Sequence, residues 1–136
     1  MCKYKLSGMV LPFNEKSRVT NNIYTKECIQ TAFDNYVEQL KDNDIIVNLS
    51  HKITALNLKD EGIYVDIELL DTEEGNNFKQ LIDKGLKLSP AIKILAFIEE
   101  SVNHYNLIDV KEIVSIELIN QKDCPFENVD LHLIKE

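Results

Sequence analysis

Three residues of this chain are of the types that perform acyl transfer: His51, Ser89 and Glu117. A serine hydroxyl is a poor nucleophile until a neighbouring base takes its proton, and the base in turn needs a third group to orient it. In that scheme Ser89 is the nucleophile, His51 the base and Glu117 the orienting member. The order His51, Ser89, His104 offers a His-Ser-His variant, although with three histidines in the chain some such order arises easily. Each residue also has a plain structural reading. His51 fits a surface or strand-edge position, and Ser89 fits a strand serine before a proline. Glu117 alternates with Ile116 and Leu118 and so would face solvent. His104 lies in the polar run VNHYN and reads as a loop residue, and His132, between Leu131 and Leu133, reads as the exposed face of a last strand. The three cysteines, Cys2, Cys28 and Cys124, show no CxxC pair, so reduced thiols are expected, with no disulfide framework, metal site or cofactor.

The elements that must position these residues are legible from hydrophobic period and turn chemistry. Lys3 to Phe13 reads as a strand interrupted by Gly8 and stopped by Pro12, and the polar patch at 14 to 22 is the longest candidate loop. Thr25 reads as a helix cap. Behind it Cys28, Ile29, Ala32, Phe33, Tyr36, Val37 and Leu40 recur at helical spacing, and Lys41 to Asp44 ends the helix. The period then changes to two: Ile63, Val65, Ile67 and Leu69 alternate with Tyr64, Asp66, Glu68 and Leu70, so residues 53 to 70 predict a β-hairpin turning at Lys59 to Gly62. A short helix is expected over Asn76 to Lys84, with Phe78, Leu81 and Ile82 inward and Gly85 as its left-handed exit. Leu86 to Ile98 fits extended structure, with Pro90 breaking the pairing directly after Ser89. Two more strands are expected near Val110 to Asn120 and Val129 to Ile134. The sum is an α+β fold, an antiparallel sheet or small barrel with two helices, in one domain spanning 1–136.

Composition narrows the partners. The 136 residues are 44% hydrophobic and 28% charged, ordinary for a globular chain. Twenty-three acidic residues against 15 basic give a formal net charge of −8, which opposes the phosphate contacts that supply most nucleic-acid affinity. No nucleic-acid partner is expected. The opening MCKYKLSGMVLPF lacks the apolar core of a signal peptide, and the longest apolar run, AIKILAFI, contains Lys93 and is too short to cross a bilayer. A soluble, unsecreted protein with no membrane partner is expected. An acidic body with antiparallel edges can dock on another protein by strand pairing or apolar patches.

One order of pieces is recognisable. Ser50-His51-Lys52-Ile53 with Leu56 comes first, then Ile63-Tyr64, then Leu70-Asp71-Thr72 with Gly75. Leu81 with Gly85 and Leu88-Ser89 follow. Together with Asn22-Ile23-Tyr24 before a helix, and Ile116-Glu117-Leu118-Ile119 before Pro125, this resembles the tailed-phage prohead proteases, which mature capsids and share the herpesvirus assemblin fold. The resemblance runs from about Gly8 to Pro125 and implies a prohead-protease-like fold with Ser89 at the position of the family's nucleophile. It also exposes departures. The family's catalytic histidine lies upstream of the Ser-His-x-Ile signature, in a Leu-x-His-Pro-like stretch, whereas KDNDIIV, between Leu40 and Asn48, contains no histidine. Active members follow the serine with small and basic residues that help hold the oxyanion. Here Pro90 has no N–H to offer, and loss of one such donor costs about 10²–10³ in rate. At 136 residues the chain is also short for a full protease of the family. The resemblance therefore implies a phage head protein that keeps the protease frame without its chemistry, an auxiliary or decoration subunit bound to the major capsid protein or other head proteins. It would assemble in the host cytoplasm and reside in the virion capsid. The alternatives are an active serine maturation protease that cleaves scaffold and capsid precursors, and an internal scaffold or assembly factor.

Overall fold

The computed structural model describes residues 4–17, 20–102, 105–126, 129 and 131–134. Its first strand, β1 (Lys5–Pro12), does end at Pro12, but Gly8 does not interrupt it: Gly8 pairs with Val65 on one side and Leu131 on the other. The irregularity falls instead between Met9 and Leu11, where the register shifts against the partner strand. A loop leads to the two-residue β2 (Asn22–Ile23), and helix α1 (Lys26–Glu38) follows. Thr25 caps α1 as its type predicts: its hydroxyl accepts the Cys28 N–H at 3.1 Å, and the Cys28 sulfur accepts the Thr25 N–H in return. All seven apolar positions of the predicted helical face are buried or packed on the core.

After a short 3₁₀ turn, β3 (Ile45–Val47) precedes the hairpin of β4 (His51–Leu58) and β5 (Gly62–Leu69). The alternation in β5 is realised: Ile63, Val65, Ile67 and Leu69 are buried, and Tyr64, Asp66 and Glu68 between them are half-buried. Helix α2 (Glu73–Asp83) starts three residues earlier than its apolar pattern predicts, because Thr72 caps it by accepting the Gly75 N–H. Phe78 and Ile82 pack against the core, but Leu81 is exposed, since a helix that contacts the body on a narrow stripe has no room for a third inward position. The exit is as predicted. Gly85 has φ +87°, with Gly85 N–H on the Ile82 carbonyl and Leu86 N–H on the Leu81 carbonyl, the two bonds of a left-handed helix stop.

The longest strands are β6 (Leu88–Val102) and β7 (Tyr105–Asn120), and β8 (Leu131–Ile134) closes the described chain. Pro90 does not break the ladder: Ser89, Pro90 and Ala91 face Ile119, Leu118 and Glu117 without a shift. A proline is accommodated because β6 is an edge strand, pairing among the described residues with β7 alone. Two sheets result, one in the order β3-β4-β5-β1-β8 and one in the order β2-β7-β6, antiparallel except for the short parallel pairing of β2 with β7. Ile53, Ile63, Val65 and Ile67 of the first sheet share one core with Ile108, Val110, Ile113, Ile116 and Leu118 of β7 and with Ile29, Ala32, Phe33 and Tyr36 of α1. This is an α+β fold of antiparallel sheets and two helices.

Candidate functional site

His51 opens β4 directly after a two-residue turn. Asn48 and Leu49 both have positive φ, 52° and 58°, and the Ser50 N–H closes the turn on the Val47 carbonyl at 3.0 Å. This is the backbone of a tight hairpin turn, and a leucine in the left-handed region carries some strain there. The Thr72 hydroxyl donates to the Leu49 carbonyl at 2.5 Å, and a Cβ on Gly75 would stand 2.0 Å from the Leu70 carbonyl and 2.9 Å from that of Ser50. The turn is therefore pressed against the start of α2, which only glycine at position 75 permits.

The turn delivers His51 to the interior. It is fully buried, 0% exposed, which corrects the expectation of a surface or strand-edge residue. The reason is tertiary: β4 lies between β3 and β5, and the ring points across to the second sheet, where Nε2 donates to the Ile116 carbonyl of β7 at 2.9 Å. On its other side Nδ1 stands 2.6 Å from the hydroxyl of Ser50, itself 2% exposed. A carbonyl can only accept, so Nε2 carries a proton. Burial lowers the His51 pKa below the ordinary imidazole value, outweighing the Ile116 carbonyl and the charge of Glu117, both of which favour the cation. The neutral ring then accepts at Nδ1 from Ser50. The Ser50 oxygen is also 3.2 Å from the Val47 carbonyl, the acceptor its proton would turn to if the imidazole became charged.

Ser89 sits on β6 opposite Ile119, three residues along β7 from Ile116, or about 10 Å at the usual strand rise. It is 0% exposed and its hydroxyl donates to the Val129 carbonyl at 3.0 Å, with the Pro90 carbonyl at 3.3 Å. No hydrogen bond joins Ser89 to His51. Glu117 pairs with Ala91 in the register and is half-buried, not fully solvated: the Lys93 ammonium stands 2.7 Å from its carboxylate, and Ser115 donates to it at 3.3 Å. Lys93 above all, with Ser115 and Asn48, holds this carboxyl below the usual range against the opposing effect of burial. Its hydrogen bonds do not go to His51.

The three sequence candidates are thus placed on adjoining elements but not joined in a relay. His51 is engaged at both nitrogens by groups other than Ser89, and the Ser89 proton lies on a carbonyl. The residue that sequence reasoning missed is Ser50, the neighbour that actually meets the imidazole. Its signal was present in the Ser50-His51 pair, but adjacency in a strand ordinarily points two side chains to opposite faces, so only the turn geometry brings them together. His132 is exposed, as expected, while His104 lies outside the described residues. Cys28 is half-buried and Cys124 buried, neither in a disulfide, and Cys2 lies outside the described residues. Among the described residues no group of three or more His, Cys, Asp and Glu is placed to hold a metal ion, and no helix is long and apolar enough to cross a membrane. A recess of about 150 Å³ lies on the Pro90 side of β6, lined by Val10, Leu11, Tyr24, Pro90, Ile92 and Phe126 among others.

Compared with known proteins, the chain matches no family model and no curated protein. Among solved structures it is similar to the capsid assembly protease of bacteriophage T4, with a TM-score of 0.66 over 93% of this chain and 79% of that one. The identity is 15%, so the likeness lies in the fold: two helices and antiparallel sheets arranged as in a prohead protease.

Proposed function

We propose that this chain is a bacteriophage head protein built on the prohead-protease fold that does not cut peptides through Ser89 and His51, and that it acts as an auxiliary or decoration subunit on the major capsid protein. The observation that carries the reading is the state of the two residues. The Ser89 hydroxyl is held by the Val129 carbonyl, both His51 nitrogens are engaged by Ser50 and Ile116, and neither residue is exposed to a substrate. A nucleophile without a base in reach, and without an open face, has no route to an acyl-enzyme. The absence of a histidine in KDNDIIV and of an N–H on Pro90 supports the same reading from the sequence. The similarity to a capsid assembly protease supports a place in head assembly, and the net charge of −8 favours a protein partner over the packaged nucleic acid.

The rival reading, an active maturation protease acting on scaffold and capsid precursors, draws on the same fold likeness. A serine-reactive fluorophosphonate separates the two: no labelling is expected, and labelling lost in Ser89→Ala would establish the protease instead. The site in the particle is tested by mass spectrometry of purified heads. Intact chain at many copies in mature virions is expected; presence in proheads followed by loss would assign an internal scaffold or assembly factor.

A further inference from the structure

Among the described residues, the second sheet ends on β6, whose outer edge pairs with no other strand. Beyond Lys93, β6 pairs with β7 alone and presents its other edge outward. Such an edge carries a row of unpaired N–H and C=O groups, and proteins usually blunt it with charges, proline or bulges along its length. Here Pro90 and Lys93 stand before the segment Ile94 to Ile98, and the register shift that leaves Glu99 unpaired with β7 stands after it. The ladder also shifts between Lys93 and Ile94 and between Leu95 and Ala96, but there the extra residues, Val114 and Lys111, belong to β7, so the five residues of β6 between carry no proline, charge or inserted residue of their own. Leu95, Phe97 and Ile98 are 51%, 59% and 58% exposed, large apolar side chains without cover.

We infer that this edge is a dimerisation surface, on which a second copy of the chain adds its own β6 antiparallel and centred on Ala96. The sequence KILAFIE, residues 93 to 99, is matched to itself in that arrangement. Ala96 meets Ala96 at the two-fold axis, where a side chain faces its own copy and a small one fits. Leu95 faces Phe97 of the second copy, Ile94 faces Ile98, and Lys93 faces Glu99, each pair occurring twice. Residues facing one another across an antiparallel ladder share a sheet face. Leu95 and Phe97 therefore cover each other on the outer face, and the exposed Ile98 gains cover from Ile94 on the other. Charge fixes the direction: a parallel pairing would set Lys93 on Lys93 and Glu99 on Glu99. It also fixes the register, since a slip by one residue would turn every side chain to the wrong face and a slip by two would separate Lys93 from Glu99. The ammonium of Lys93 already contacts Glu117 of its own chain, so in the dimer it lies between two carboxylates. This inference is independent of the proposed role in the head.

Sedimentation equilibrium of the full chain tests it. The expected mass rises with concentration from that of one 15.7 kDa chain towards that of two. Glu99→Lys, which sets lysine against Lys93 twice per dimer, should weaken association about tenfold with an unchanged circular dichroism spectrum. Ala96→Cys should form an intermolecular disulfide on mild oxidation under conditions that leave the unmodified chain uncross-linked, whereas Phe97→Cys, whose counterpart is Leu95, should not. A chain that remains monomeric at every concentration reached overturns the proposal. So does a dimer that Glu99→Lys leaves intact, or one that Ala96→Cys does not cross-link.

Discussion

Ser50 and Ser89 are both buried serines, 2% and 0% exposed, yet they stand in opposite relations to the buried imidazole of His51. Ser50 touches His51 at 2.6 Å because a two-residue turn folds it back beside its own neighbour. Ser89 belongs to the other sheet and satisfies its hydroxyl on Val129. The histidine therefore works as a polar rivet between sheets, from Ser50 through the ring to the Ile116 carbonyl, and Ser89 works as a brace for the C-terminal segment. A buried polar group must find partners somewhere, and here each found them without the other.

The largest test of that contrast is a double-mutant cycle read by urea denaturation. His51→Ala removes two buried hydrogen bonds and leaves a cavity in the core, and about 3 kcal/mol of destabilisation is expected. Ser50→Ala leaves Nδ1 without its donor and should cost about 2 kcal/mol. The two should couple strongly, by about 1 kcal/mol or more, since they share one bond. Ser89→Ala should add to His51→Ala within about 0.5 kcal/mol, as expected of residues that share no partner. A coupling between Ser89 and His51 as large as that of Ser50 would break the comparison and restore a relay.

Acid offers the second test. The folded-state pKa of His51 is depressed by burial, so from about pH 6.5 downward the unfolded chain takes up a proton that the folded chain refuses. The stability from the neutral ring is complete above about pH 6.5 and is lost as pH falls towards the depressed folded value, at no more than about 1.4 kcal/mol per pH unit. Unfolding free energies at successive pH values should show a drop that is reduced in His51→Gln. An identical pH dependence in the two would mean that the imidazole is not buried neutral.

The smallest effect belongs to Ser89. Ser89→Ala removes one buried hydrogen bond and about 1 kcal/mol, seen as a modest shift of the denaturation midpoint. A much larger loss would mean that the serine supports more than the Val129 segment.

Much of the fold was legible because it depends on local patterns. The period of 3.6 from Cys28 to Leu40, the Thr25 cap, the alternation from Ile63 to Leu69 and the Gly85 exit each follow from neighbours within a few residues, and each is found. Other features depended on what lies beside the chain. β2 and β3 are too short to show a period, and Pro90 stays in the ladder only because β6 has an open edge. Leu81 is exposed because α2 rests on the body by a narrow stripe. The sequence by itself determined which residues could do chemistry and where the two helices and the longer strands would form, since side-chain type and local period need no partner. Only the tertiary structure decided what His51, Ser50, Ser89 and Glu117 do with their protons. A hydrogen bond is set by which atoms lie within about 3 Å, and that distance is made by the packing of one sheet against another.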